Sequence, residues 1–494
     1  MVRQLSARAQ VIVAAAATCG VAVLAAALTL MPSPAAAKAR SKRPKRKRKK
    51  NDKNDSLSSR GSRLTRPALP YMGGVLEGFA EPYDAATGKG VILLAVAENK
   101  LCWPRLKPRV EAALAQVPDW TANYGPMDGG AQLKGALARF LDRRIVRDDR
   151  PRVVSDHVSC AAGAAACLNN LFLSICEAGD SVLIPAPYYA AFDADLGAIC
   201  ALKRIPVRLR QGDFALTRSA LDKAYAASGN AAKALLITNP HNPTGRCLTE
   251  DELRLAVGWC DSKKMHLVSD EVYALSLLKG DAFVSLGKVT KGALGDRRHV
   301  VWGLSKDFGM SGLRFGCVWT QNDRLRQALG TAAMFGCVPG VCQAMVTELL
   351  SDDAFCDDYL RANQVALRLS CAACTAMMDA LSLPYYVPEA GMFLWCDLSS
   401  LLDEKSWAAE ARLYDQLRTE IRVVLTPGEA QHADPGLLAQ AVLQVADRAQ
   451  GRHGAAQPVA GHRQAAVGQV ADVVGQVGVV ASQEALVRER AVPA

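Results

Sequence analysis

Leu304-Ser305-Lys306-Asp307-Phe308-Gly309-Met310-Ser311-Gly312-Leu313-Arg314-Phe315-Gly316 is the stretch on which the reading of the fold turns. It places one lysine among small and apolar residues, with an arginine eight positions later. A partly desolvated, glycine-rich setting favours the neutral amine, the form that condenses with a carbonyl. Arginine suits a phosphate because its planar fork donates two parallel hydrogen bonds. An isolated Ser-Lys would read as a surface turn, so the weight falls on the segments upstream.

Those segments are Asn239-Pro240-His241-Asn242-Pro243-Thr244-Gly245 and Ser269-Asp270-Glu271-Val272-Tyr273. Each follows an apolar run, 234–237 for the first and 265–268 for the second, and 302–304 leads to Lys306 in the same way. Each reads as the carboxyl end of a buried strand, where α/β sheets place ligand groups. Three strand ends then deliver Asn242, Asp270, Tyr273 and Lys306 to one crevice. The set suits pyridoxal 5'-phosphate (PLP). A carboxylate such as Asp270 keeps the pyridine nitrogen protonated, so that the ring accepts electrons. Asn242 and Tyr273 can donate to the ring oxygen, Lys306 is the amine and acid/base, and Arg314 meets the phosphate.

These motifs resemble the fold-type I PLP enzymes of the class I/II aminotransferase superfamily. Within it the chain is most similar to 1-aminocyclopropane-1-carboxylate (ACC) synthases. The similarity is carried by Ala97-Glu98-Asn99-Lys100-Leu101-Cys102, Pro185-Ala186-Pro187-Tyr188-Tyr189-Ala190-Ala191-Phe192-Asp193 and Ser305-Lys306-Asp307-Phe308-Gly309, and it covers roughly residues 68–436. It implies an α/β large domain of about 100–335, with a mostly parallel seven-stranded sheet wrapped by helices. A smaller α+β domain would come from the N-terminal arm and about 336–436. It implies Glu98 at the substrate pocket and Tyr124 as a phosphate ligand given by the partner of a homodimer. The reaction implied is ACC synthesis from S-adenosylmethionine. Transamination between a small amino acid and a 2-oxo acid uses the same cofactor shell and stays open, as does an impaired PLP-binding protein.

Other residues complete the expected site. Ser159 to Cys167 reads as a helix opening that runs to about Cys176, and Gly163, Ala164 and Ala165 there would let backbone N–H groups approach a phosphate. Tyr188 and Tyr189 follow the strand 181–185, where an aromatic ring can stack on the cofactor. Tyr189 is favoured and Tyr188 is the alternative. A helix interrupted by Gly330 is expected from about Asn322 to Met334, and Glu389 to Asp397 reads as an alternating strand. Three departures from the family pattern stand out. Ala165-Ala166 replaces a Thr-Gly pair. Gly303 replaces a phosphate-binding serine, for which Ser305 is the nearby hydroxyl. Ala439 takes the place of the arginine that binds the substrate carboxylate.

The 494 residues suffice for two domains with proper cores. The net charge of +11 sits in the first 66 residues, which hold sixteen Lys/Arg and two Asp/Glu. The body is close to neutral, which argues against specific nucleic-acid recognition. Fifteen cysteines without metal-ligand spacing predict no metal site, and Cys371-Ala372-Ala373-Cys374 is a lone pair on a helix. Residues 1–37 read as a hydrophobic targeting segment or signal anchor, since 11–31 could span about 32 Å as a helix and associate with a membrane. Residues 38–67 read as a basic, disordered linker. An uncleaved helix would leave the enzyme domain in the cytosol, and a cleaved peptide would send it to a plastid or other organelle. From Leu437 to Ala494 there is no aromatic residue, lysine or cysteine, which reads as a low-complexity tail or a shifted reading frame.

Overall fold

The computed structural model describes residues 56–442 apart from 66, 68, 85, 86, 151, 281, 282, 435 and 436. The expected membrane segment at 11–31, the basic stretch 38–55 and the tail past 442 lie outside the described residues. Among the described residues, no helix is long and apolar enough to cross a membrane.

A parallel pair, β1 (Ile92–Leu93) with β11 (Val423–Val424), joins the N-terminal arm to the C-terminal half. The central sheet contains β2 (Val158–Ala161), β3 (Ser181–Ala186), β4 (Lys203–Arg208), β5 (Ala232–Thr238), β6 (His266–Asp270), β7 (Arg298–Gly303) and β8 (Gly316–Thr320). Their order is β2-β8-β7-β6-β5-β3-β4, and only β8 runs against the others. The expected seven-stranded, mostly parallel sheet is present. A second sheet orders β12 (Leu437–Val442), β10 (Phe393–Asp397) and β9 (Tyr385–Tyr386), all antiparallel.

The apolar runs become strands because both faces of the large sheet are covered. Leu183, Leu235, Ile237 and Trp302 point into a core with Leu137, Phe140, Leu253 and Trp259. Their neighbours Val182, Ile184, Leu236 and Val301 point the other way, against Leu168, Phe172, Leu196 and Leu329. A separate core unites Ile92 and Leu94 of the arm with Cys374, Leu394, Cys396, Leu413 and Val423.

Four local expectations change. Ser159–Ala161 is strand, not helix, because it pairs with 316–318 of β8. Helix α1 begins at Ala164, ends at Ile175 and leaves Cys176 as its cap. Gly330 does not interrupt its helix, which runs Asp323–Ala332. Phe393–Cys396 does not alternate but is buried at every position. Phe393 packs with Tyr273 and Met392 while Leu394 and Cys396 enter the arm's core, so both faces of β10 are apolar. The composition change at Leu437 does not end regular structure either, since Leu437–Val442 pairs with Phe393–Asp397.

Candidate active site

The carboxyl ends of β2, β3, β5, β6 and β7, with the amino end of β8, meet along one edge of the sheet. Asp270 is the last residue of β6, and β5 hands its end to Asn239–Asn242. β7 ends at Gly303 and passes into α2 (Leu304–Asp307), one turn that carries Ser305 and Lys306. Arg314 stands two residues before β8 in the left-handed region, φ 52°. Gly303 has no room for a side chain, since a Cβ there would lie 2.7 Å from the Phe315 carbonyl. The serine expected from the family would not fit this backbone.

Lys306 Nζ donates to the Ala97 carbonyl at 2.7 Å. Burial lowers its ammonium pKa to about 8, against the attraction of Glu98 and Asp270. The neutral amine is therefore accessible near neutral pH. Asp270 is 5% exposed, and its carboxylate accepts only a 3.4 Å bond from the Val272 N–H. Burial raises it to about 7, with Asp195 adding to the rise and Lys306 opposing it. The Asn242 amide donates to the Tyr273 phenol oxygen, and both side chains are buried. The Asn242 Oδ1 has no partner. Tyr273 is held edge-on against Phe393 at 5.1 Å.

The phosphate end is built by close backbone approach. Gly163 has φ 92°, and a Cβ on it would lie 2.6 Å from Arg314 Nη2. A Cβ on Gly316 would meet Ala164 N at 2.6 Å. Only glycine fits at both places, so the N-terminus of α1 stays open beside the Arg314 guanidinium. Ala165 lies in the first turn of α1, and Ser305, half-buried, lies in α2.

The two tyrosines diverge. Tyr188 is buried against His432, whereas the Tyr189 phenol lies within electrostatic reach of Asp270 and Arg314. Glu98 accepts from the Ser311 hydroxyl at 3.1 Å and bears on Lys306. Tyr124 joins none of this set in one chain. It is 97% exposed and borders a groove of about 420 Å³ with Trp120, Met127, Val338 and Pro339.

Sequence reasoning missed the supports behind the lysine. Asp307 is fully buried and accepts from Trp302 Nε1 at 3.0 Å, Ser276 Oγ at 2.8 Å and the Leu275 N–H at 3.2 Å. The Asn99 amide donates to Asn363 at 2.6 Å, and Asn363 donates to the Asp307 carbonyl at 3.2 Å. Asn363 belongs to the long helix α3 (Asp353–Ala380), which thereby braces α2. Adjacency of Asp307 to Lys306 was the one available signal. Among the described residues, no group of His, Cys, Asp and Glu is placed to hold a metal ion. Cys371 of the CxxC pair is pushed up to about 11 by burial, which leaves it a poor nucleophile.

The residues fit PLP. The buried, under-bonded Asp270 awaits a cation of pyridinium kind, and the orphaned Asn242 lies beside Tyr273. The glycine cradle under Arg314 suits a phosphate. A lysine at one end of a crevice and a buried carboxylate at the carboxyl edge of a mostly parallel sheet define a fold-type I PLP-dependent enzyme.

Comparison with known proteins agrees. The family model for aminotransferase class I and II matches residues 89–442, and the chain belongs to that family of PLP-dependent enzymes. 1-Aminocyclopropane-1-carboxylate synthase 9 of Arabidopsis thaliana is 31% identical over 380 residues, spanning 72% of this chain and 80% of the relative. Synthase 4 of Oryza sativa subsp. japonica is 31% identical over 410 residues, 74% of this chain and 82% of the relative. Among solved structures, aspartate aminotransferase from Thermus thermophilus with maleate superposes at TM-score 0.66 and 21% identity, covering 78% of this chain and 94% of that one. Aromatic aminotransferase from Pyrococcus horikoshii gives TM-score 0.62 at 21% identity, covering 72% and 91%.

Proposed function

We propose that this enzyme makes 1-aminocyclopropane-1-carboxylate from S-adenosylmethionine, releasing methylthioadenosine. The observation that carries the reading is Glu98, held by Ser311 on the Lys306 side of the crevice, where a carboxylate faces a cationic substrate. Identity of about 31% to ACC synthases over most of the chain supports it. When bound, PLP supplies a sink for the electrons left at the substrate α-carbon. Asp270 would hold the proton on the ring nitrogen, and Asn242 and Tyr273 would donate to the ring oxygen. The N–H groups at Gly163–Ala165, the Arg314 guanidinium and the Ser305 hydroxyl would hold the phosphate, and Tyr189 would cover the ring. Lys306 takes the proton from Cα. The bond from Cγ to sulfur breaks, a Cα–Cγ bond closes the three-membered ring, and the sulfonium leaves as a neutral thioether. Tyr124 of the partner subunit would add a further phosphate contact in a homodimer.

A second reading comes from Ala439 on β12, where the family has its carboxylate-binding arginine. Losing a bidentate contact to a carboxylate costs on the order of a few kcal/mol, enough to slow turnover steeply. Incubation with S-adenosylmethionine, or with amino-acid and 2-oxo-acid pairs, separates the readings by product. ACC and methylthioadenosine are expected. A keto acid without methylthioadenosine would make the enzyme a transaminase. No product, with PLP still trapped on Lys306 by borohydride, would make it an impaired PLP-binding protein. In the same trapping assay Lys306→Ala should give no adduct, and an adduct yield equal to wild type would remove Lys306 from its role.

A further inference from the structure

Asp193, one residue inside the short helix α-turn 192–197, gathers donors from three parts of the chain. The Tyr188 hydroxyl donates to its Oδ1 at 2.8 Å, and Arg204 Nε of β4 donates to the same oxygen at 3.2 Å. His432 Nε2 meets its Oδ2 at 3.0 Å. The imidazole also stacks on the Tyr188 ring, with centroids 4.5 Å apart and planes 23° apart. The Tyr188 N–H donates to the Gln431 carbonyl at 2.9 Å, and the Arg208 guanidinium donates to the His432 carbonyl. Tyr188 is thus held by its ring, its hydroxyl and its backbone at once. Its neighbour Tyr189 inherits that placement. The Phe192 N–H donates to the Tyr189 carbonyl at 3.0 Å, and the Phe192 ring meets the Tyr189 ring edge-on at 5.3 Å.

We propose that Asp193 and His432 are positioning residues that act through Tyr188 to hold Tyr189 over the cofactor ring. The segment 188–193 is clamped at both ends, by Tyr188 on His432 and by Asp193 on Arg204. Tyr189, between the clamps, lies within electrostatic reach of Asp270 and Arg314. Releasing His432 frees one clamp and lets the Tyr189 ring drift from a stacked pose. The hook also ties the 429–434 segment, which leads to β12, to the large sheet.

The hook sits among charged groups: Arg204 of β4 bonds Asp193, and Arg208 of β4 donates to the His432 carbonyl. Glu429 and Asp434 lie on its own segment, and the Gln211 amide donates to Asp434 at 3.4 Å. Burial works to raise Asp193, but bonds from His432 and Tyr188 and the charge of Arg204 outweigh it and hold the carboxyl at about 2. Asp193 is therefore a carboxylate, the acceptor at the centre of the hook.

The test uses PLP-loaded enzyme and reads the induced circular dichroism of the bound cofactor and its dissociation constant. Asp193→Asn should give a low signal, with PLP bound about two- to tenfold more weakly, the worth of one aromatic stack. His432→Ala removes both the partner of Asp193 and the ring on Tyr188 and should give the same loss, while His432→Gln, which keeps an N–H for Asp193, should restore part of it. The His432 pair carries the test alone if Asp193→Asn does not fold. Tyr189→Leu should abolish the signal, and adding Asp193→Asn to it should cost nothing more. Variants that keep the wild-type signal and affinity, whatever their thermal stability, would overturn the proposal. So would full additivity with Tyr189→Leu. The readout is cofactor binding, so the outcome is independent of which amino acid is the substrate.

Discussion

Asp270, Glu271 and Asp307 are three carboxyl groups that burial raises to about 7 each. Glu271 accepts from Ser269, Ser285 and the Leu286 N–H, and Asp307 from Trp302 and Ser276, so both are satisfied in place. Asp270 is the one left short. Its folded pKa lies above its unfolded value, so the folded apoprotein binds more protons between about pH 4 and 7 and loses stability as pH rises through that window. A cofactor cation beside Asp270 removes that loss. The melting temperature of the apoprotein should therefore drop between about pH 4 and 7, by on the order of 5 °C more than that of the PLP-loaded enzyme. Asp270→Asn in the apoprotein should flatten part of the slope, and equal slopes for apo and loaded enzyme would contradict the pairing. Asp270 was legible in the sequence because it ends an apolar run. Its isolation was not, since the absence of donors around it depends on what β5, β7 and α2 bring alongside.

At the scale of elements, the junction of β2 with α1 is the most constrained piece of backbone near the phosphate end. Gly163→Ala would place a methyl 2.6 Å from Arg314 Nη2 at φ 92°. We expect PLP affinity to fall by about tenfold or more, with fluorescence titration of the apoprotein as the measure. Unchanged affinity would show that the phosphate does not sit between α1 and Arg314. Read along the chain, the Ala-rich stretch promised a helix from Ser159, because alanine is the strongest helix former. The strand won at 159–161 through its ladder with Gly316–Val318, a partner 155 to 159 residues away. Similarly, β10 reads as alternating only until Phe393, on its second face, meets Tyr273.

At the scale of the molecule, one face is left open. Tyr124, Phe335, Met334 and Trp120 are 97%, 89%, 61% and 47% exposed, beside a groove lined by Met127, Val338 and Pro339. We propose that a second copy of the chain covers this face and receives Tyr124 at its phosphate site. Sedimentation at micromolar concentration should give a dimer, and Tyr124→Ala should weaken PLP binding severalfold without splitting it. An active monomer would refute the arrangement. The groove is close to the site, since the Ala162 N–H donates to the Gly336 carbonyl at 2.9 Å.

Order and spacing along the chain were enough to foresee the class of sheet and that Asn242, Asp270, Tyr273 and Lys306 follow strand ends, with Arg314 just before β8. Buried parallel strands are continuous apolar runs, and their ends advertise themselves as the first polar residues after the run. Adjacent residues at one strand end are a different matter. Tyr188 and Tyr189 carry the same side chain and the same local sequence signal, yet one is tied to His432 and Asp193 while the other lies within electrostatic reach of Asp270. The choice rests on an imidazole 244 positions away from Tyr188, and the support of Lys306 rests on Asn363 of α3 in the same way. Such pairings are made by whichever elements pack together, and packing partners are set by burial across the whole core rather than by the residues on either side.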